Sequence, residues 1–361
     1  MNIQQLLQIT IEKKASDLHL NIGEIPTLRI NGDLIRIEGF PALAKEDIDN
    51  LIFPLLNPYQ RRVFEETWEF DFGVDFGLGQ SPWVGKARFR ANLYKEKGYF
   101  AAALRLIPNQ IREVNELGFP DSVKKIPELK QGLVLVTGPT GHGKTTTLAA
   151  FINNINLNRS THILTIEDPI EYIYPKGKAL ISQREINSDT KNWNNALKAA
   201  LREDPDVVLI GEMRDYETVA AAMTIAETGH LVFATLHTNS ASQTIDRIID
   251  VFPVNQQSQI RVQLAAVLEA IISQRLVPTI TPGRTLAAEI LFGVPALRAL
   301  IRDDNSHLID NLIQTSGEYG MVTMETALAT LVKEGKITAE TAINFSPHPQ
   351  LVSKLLGMFN R

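Results

Sequence analysis

The sequence predicts an α/β protein in two parts, a domain built on a parallel sheet preceded by a smaller α+β domain. Three observations carry this prediction. Four short apolar runs, Leu133–Val136, Ile163–Ile166, Val207–Ile210 and Val232–Leu236, are continuous rather than alternating, as strands buried on both faces must be. Longer helical stretches separate them, which is the connection parallel strands need. The first hundred residues instead carry the alternating pattern of an antiparallel sheet.

In chain order, Leu6–Lys14 suits an amphipathic helix. Leu18–Leu20, Thr27–Ile30 and Leu34–Ile37 read as short strands, the last two joined by the turn Asn31-Gly32-Asp33. Glu46–Leu56 and Gln60–Glu66 have helical spacing. Trp68–Val74, Lys86–Tyr94 and Phe100–Leu106 alternate like strands, which closes a first domain at residue 107. Residues 108–128 form a linker marked by Pro108, Gly118-Phe119-Pro120 and Pro127. Residues 129–361 make the second domain. Beyond Gly283 it reads as mostly helical, through Ala296–Ile301, Met324–Glu334 and Ala339–Phe345.

Composition removes several classes of function. A chain of 361 residues with 44% apolar and 21% charged residues has the balance of an ordinary two-domain globular protein. A formal charge of −5, with basic residues scattered, argues against a dedicated nucleic-acid binder. The absence of cysteine excludes disulfides and thiolate zinc sites. No apolar run approaches the ~20 residues that span a bilayer, so any membrane association is expected through partners.

The strongest motif follows the first of the four runs. Leu133-Val134-Leu135-Val136-Thr137 leads into Gly138-Pro139-Thr140-Gly141-His142-Gly143-Lys144-Thr145, and Thr146–Ile152 reads as helix. This is the strand–loop–helix setting of a P-loop, not a bare pattern match. Glycines let backbone N–H groups converge on phosphates, and the helix adds its positive N-terminal end. The expected nucleotide-binding residues are Gly138, Pro139, Thr140, Gly141, His142, Gly143, Lys144, Thr145 and Thr146. Lys144 reaches the β- and γ-phosphates of bound ATP, and the Thr145 hydroxyl ligates Mg2+.

Two further strands end in acids. Ile163–Ile166 runs into Glu167-Asp168-Pro169-Ile170-Glu171, placing three carboxylates where a parallel sheet presents ligand-facing groups. One is expected to orient or deprotonate the attacking water while another holds the metal shell; the plainer reading is an acidic turn closed by Pro169. Asp206–Ile210 ends in Gly211-Glu212-Met213-Arg214-Asp215, an apolar strand closed by an acid, as in a Walker B element. Gly211 stands where many P-loop enzymes have Asp, so Glu212 carries the Mg2+ duty, directly or through water. His230 and His237 bracket the fourth run, either as γ-phosphate sensors or as structural histidines. Arg88, Arg90 and Arg105 fall on first-domain strands. Arg88 and Arg90 share a face because side chains repeat every two residues. That face is either simple surface charge or meets the nucleotide of a neighbouring subunit.

With these residues in view, the chain resembles the PilT-type retraction ATPases of bacterial type IV pili, within the wider secretion ATPase superfamily. The likeness rests on Ala15-Ser16-Asp17-Leu18-His19-Leu20 and Leu28-Arg29-Ile30-Asn31-Gly32, on the acidic Glu167–Glu171, and on Leu201–Asp215. It also rests on Glu227-Thr228-Gly229-His230 through Thr235-Leu236-His237-Thr238. The resemblance implies a PAS-like first domain, a RecA-like ATPase domain and a homo-hexamer hydrolysing ATP to power pilus retraction and twitching motility. By it, Glu171 is the catalytic carboxylate, with Glu167 beside it, and Glu212 is associated with Mg2+. His230 and His237 are phosphate sensors, and Arg88, Arg90 and Arg105 approach nucleotide in the closed ring. Ala296–Asp303 is similar to the family's retraction motif but departs at Leu297, Ala299 and Asp303, and His142 replaces the usual serine. The implied setting is the cytoplasmic face of the inner membrane, with a platform protein and a PilU-like paralogue as partners and no nucleic acid. The rival readings are a PilU-like accessory ATPase, an assembly ATPase, which commonly carries a four-cysteine zinc element, a non-hydrolysing nucleotide-binding scaffold, and a RecA-like DNA translocase.

Overall fold

A computed structural model describes residues 1–30, 32–77, 86–107 and 110–358. Asn31 of the expected turn and Pro108 at the head of the expected linker lie outside the described residues. The chain forms two compact units. The first contains Met1–Ile111 together with Glu167–Pro175 and Arg184–Asn192; the second contains Arg112–Ile166, Lys176–Gln183 and Trp193–Arg361.

The first unit holds a six-stranded sheet of β1 (Asp17–Leu20), β2 (Thr27–Ile30), β3 (Asp33–Arg36), β4 (Glu69–Gly77), β5 (Lys86–Glu96) and β6 (Tyr99–Ile107). Its order is β3-β2-β1-β6-β5-β4 and every pair is antiparallel. Helix Ile3–Glu12 buries Ile3, Leu6, Leu7 and Thr10, the i, i+3, i+4, i+7 stripe of a surface helix. Helix Pro58–Thr67 starts where Asn57 Oδ1 accepts from the Tyr59 and Gln60 amides, with Pro58 in the first turn. On β5, Ala87, Phe89, Ala91 and Leu93 enter the core, which leaves Arg88 and Arg90 on the opposite face.

The second unit is built on a seven-stranded sheet. Its strands are β7 (Gly132–Thr137), β8 (His162–Glu167), β9 (Leu180–Glu185), β10 (Val207–Ile210), β11 (Leu231–Leu236), β12 (Leu268–Pro278) and β13 (Arg284–Phe292). Their order is β13-β12-β7-β11-β10-β8-β9. The pairs β12–β7, β7–β11, β11–β10 and β10–β8 are parallel, and β12–β13 is antiparallel. All four expected runs are strands of this sheet, and every residue of β7, β10 and β11 is buried. That burial is why they read as unbroken apolar runs: no face is left for a polar alternation.

Three strands escaped the sequence reading. β9 and β12 were not expected, and β13 occupies a stretch read as the start of a mostly helical segment. Leu286, Ala287, Ala288, Glu289 and Leu291 are helix formers by local propensity. Nine residues of pairing with β12 override that preference, because strand choice follows what the side chains pack against. The rest of the C-terminal segment is helical, and Met324, Leu328, Leu331, Ile337, Ala342 and Val352 pack against Val277 of β12 and Ala287 of β13.

Candidate nucleotide site

β7 ends at Thr137, and the loop Gly138–Gly143 connects it to helix Lys144–Asn158. Gly138 has φ +139° and lies so close to the Gln274 backbone oxygen that a Cβ there would collide with it. Gly143, with φ +85°, stands at the helix N-cap. The helix buries Leu148, Phe151, Ile152 and Ile155 in the unit's core, which anchors its N-terminus at the loop.

Lys144 is buried, and its ammonium turns back into the loop, donating to the Gly138 carbonyl at 2.8 Å and the Pro139 carbonyl at 3.1 Å. His237 lies just past β11, the strand beside β7, with its Nδ1 3.4 Å from both Lys144 Nζ and Thr140 Oγ1. Its Nε2 is 3.1 Å from Glu212 Oε1. A proton on Nε2 satisfies both sides: the ring donates to the carboxylate and accepts from the ammonium and the hydroxyl. Arg214 Nη2 completes the line, 2.8 Å from Glu212 Oε2. Burial alone would raise the Glu212 pKa, but the hydrogen bond and charge of Arg214, with His237 and Lys144, outweigh it and hold it below the usual glutamate value. Thr145 is half-buried in the first helical turn.

His230 is placed differently from its sequence partner. Leu231 pairs with Gly132 and Leu236 with Thr137, so His230 sits at the N-terminal end of β11 while the P-loop follows the C-terminal end of β7. A six-residue strand separates the two histidines by roughly 20 Å. His230 Nδ1 instead contacts Thr228 Oγ1 at 2.9 Å and the Ile225 carbonyl at 3.0 Å. Of the two histidines expected to sense phosphate, parallel register places His237 at the edge of the sheet where the P-loop begins and His230 at the opposite edge.

In the first unit Arg88 is buried. Its guanidinium pairs with Asp75 at 2.7 Å and with Glu185, and it donates to the Ile170 carbonyl at 2.8 Å. Glu185 also accepts from the Gly73 and Ile170 amides at 3.1 Å each. Arg90 is more open. It pairs with Asp71, whose hydrogen bond strengthens its hold on its proton, and lies 3.8 Å from Glu171. Arg105 is largely exposed and pairs with Asp17 at 2.9 Å. Glu167 is buried at the end of β8.

Sequence reasoning missed three participants: Gln274, Arg214 as a partner of Glu212, and Glu185 as a partner of Arg88. Gln274 Oε1 accepts from Thr147 at 2.9 Å, and its Nε2 donates to the His142 carbonyl at 2.7 Å. A signal existed, since Ser273-Gln274-Arg275 interrupts an apolar run as the acids do after β8 and β10. In the segment resembling the retraction motif, Leu297 and Ile301 are buried. Arg298 points inward, donating to the Ala265 and Ala266 carbonyls at 2.6 Å and meeting Glu269 at 2.8 Å.

Residues 95–327 match the model of the family described as type II/IV secretion system protein. The chain is 45% identical over 342 residues to the type IV pilus retractation ATPase PilT of Pseudomonas aeruginosa, covering 95% of this chain and 97% of that one. It is 46% identical over 318 residues to the twitching motility protein of Neisseria gonorrhoeae, covering 88% and 83% respectively. Among solved structures, the pilus retraction motor PilT with bound ADP superposes with a TM-score of 0.89 at 47% identity, covering 98% of this chain and 99% of that one. The chain thus belongs to the type II/IV secretion system protein family, among its PilT-type ATPases.

Proposed function

We propose that this chain is the subunit of a hexameric, ATP-driven motor that withdraws type IV pili, working at the cytoplasmic face of the inner membrane on a platform protein. The observation that carries the reading is the line Lys144–His237–Glu212 beside a P-loop, in a chain similar over almost its whole length to PilT. Lys144 leaves the Gly138 and Pro139 carbonyls for the β- and γ-phosphates, and His237, beside it, serves as the γ-phosphate sensor. Glu171 orients or deprotonates the attacking water. Arg90 and Arg105 are the arginines offered to a neighbour's nucleotide, whereas the two carboxylates on Arg88 make it an internal brace for the Glu167–Glu171 segment.

Mg2+ fits the residues present. Among the described residues no cluster of three or more histidine or acidic side chains forms a cage. Mg2+ instead binds through few protein groups together with phosphate oxygens and water. Thr145 and the firmly ionised Glu212 would hold it, Glu212 through water, where it would neutralise charge developing on the phosphates. A PilU-like paralogue is the expected accessory partner.

Deletion of the gene tests the biological role: hyperpiliated cells that do not twitch support it, while bald cells point to assembly. Light scattering of the purified protein with ATP should give the mass of six subunits, and a monomer under all nucleotide conditions would refute the ring.

A further inference from the structure

The P-loop's tip is held from outside by the β12–β13 hairpin. β12 runs beside β7 only as far as the Ser273–Thr137 pair, after which β7 has ended and the loop takes its place. On β12 the Gln274 carbonyl and the Leu276 N–H both face the loop. The Leu276 amide donates to His142 Nδ1 at 3.0 Å, so an imidazole nitrogen fills the position a β7 carbonyl would have taken. Gln274 Nε2 takes the His142 carbonyl at 2.7 Å, and Arg284 of β13 approaches the Gly141 carbonyl at 3.4 Å. In a trans peptide the C=O and the following N–H point in opposite directions. Drawing the Gly141 and His142 carbonyls outward therefore aims the His142 and Gly143 amides inward, where phosphate oxygens are gathered.

We propose that His142 is a positioning residue: its ring docks the P-loop tip on β12 and so presets the loop's amides for nucleotide phosphates. The inference rests on the nucleotide-binding reading of this loop. A serine hydroxyl ends one bond beyond Cβ, whereas Nδ1 lies two bonds out, which gives the reach to Leu276. The contact needs an unprotonated Nδ1. Burial, then the charges of Arg275, Arg284 and Lys144 that surround the ring, lowers the His142 pKa below its ordinary value, which keeps the acceptor available at neutral pH.

The test compares wild type, His142→Ser and His142→Asn, since an asparagine Oδ1 also lies two bonds beyond Cβ but does not titrate. Amide exchange of Leu276 is followed in the full chain without nucleotide, so it reports on the docking even if hydrolysis were absent. ATPase kinetics are then measured across pH. His142→Ser should speed Leu276 exchange about tenfold and raise the KM for ATP about fivefold, more than it changes kcat. His142→Asn should restore both. Wild-type KM should climb, relative to His142→Asn, only once the pH falls below the ordinary histidine range. Unchanged exchange in His142→Ser, faster exchange with an unchanged KM, or failure of His142→Asn to rescue would each overturn the proposal.

Discussion

Lys144 and Glu212 meet on opposite sides of His237, and substitution of Lys144 tests the loop side of that line. Lys144→Ala removes the ammonium that spans Gly138, Pro139 and His237, so phosphate release should fall at least about a hundredfold. The helix it begins is anchored by Phe151 and Ile155, so circular dichroism should stay that of wild type. Residual activity above a tenth of wild type would contradict the role given to Lys144. Glu289 is a buried carboxyl on β13 that accepts from the Ala241 amide at 2.7 Å. Burial is the main cause that raises its pKa, to about 7, with Asp310 and Glu325 nearby adding to it. The folded state therefore binds more protons than the unfolded one between the ordinary glutamate pKa and about 7, so stability falls as pH rises through that window. The loss is of order 3 kcal/mol. Glu289→Gln keeps an acceptor for Ala241 and should flatten that slope. Urea midpoints at about pH 5 and about pH 8 would reveal it, and equal slopes in both proteins would disprove the assignment.

At the scale of elements, the sheet's ends do the positioning. The C-terminal ends of β7, β10 and β11 gather the P-loop, Glu212 and His237, because parallel pairing brings neighbouring strands to the same edge. Gly138→Ala should break this edge. Its Cβ meets the Gln274 carbonyl while φ is +139°, so both strain and collision act, and a loss of about 2 to 4 kcal/mol with loss of ADP binding is expected by calorimetry. Arg298 tests a different element. It caps the last carbonyls of helix Val254–Val267, so Arg298→Ala should destabilise the protein by about 2 kcal/mol in urea unfolding. An unchanged urea midpoint would contradict that capping role.

For the whole molecule, binding and stability are linked. A nucleotide that binds only the folded chain raises its stability by about 2.7 kcal/mol at a hundred times Kd. Melting of wild type should rise by a few degrees with saturating ADP, and melting of Lys144→Ala much less. Equal shifts would place the nucleotide somewhere other than this loop. Within the first unit, the acidic segment Glu167–Pro175 is tied through Ile170 to Arg88 and Glu185.

The amino-acid sequence by itself determined the four buried core strands, the P-loop and the acids that close β8 and β10, because each is written locally: an unbroken apolar run, a glycine spacing, a carboxylate at a strand end. It also carried the family likeness. Strands β12 and β13 were not legible, since their alternatives differ only in long-range pairing, which propensity cannot register. Only the tertiary structure decided that His237 and not His230 lies beside the P-loop, that Arg88 is braced by Glu185 from a segment ninety-seven residues away, and that the His142 ring reaches Leu276. Each of those is a distance between residues far apart in the chain, fixed by strand register rather than by any neighbour in sequence.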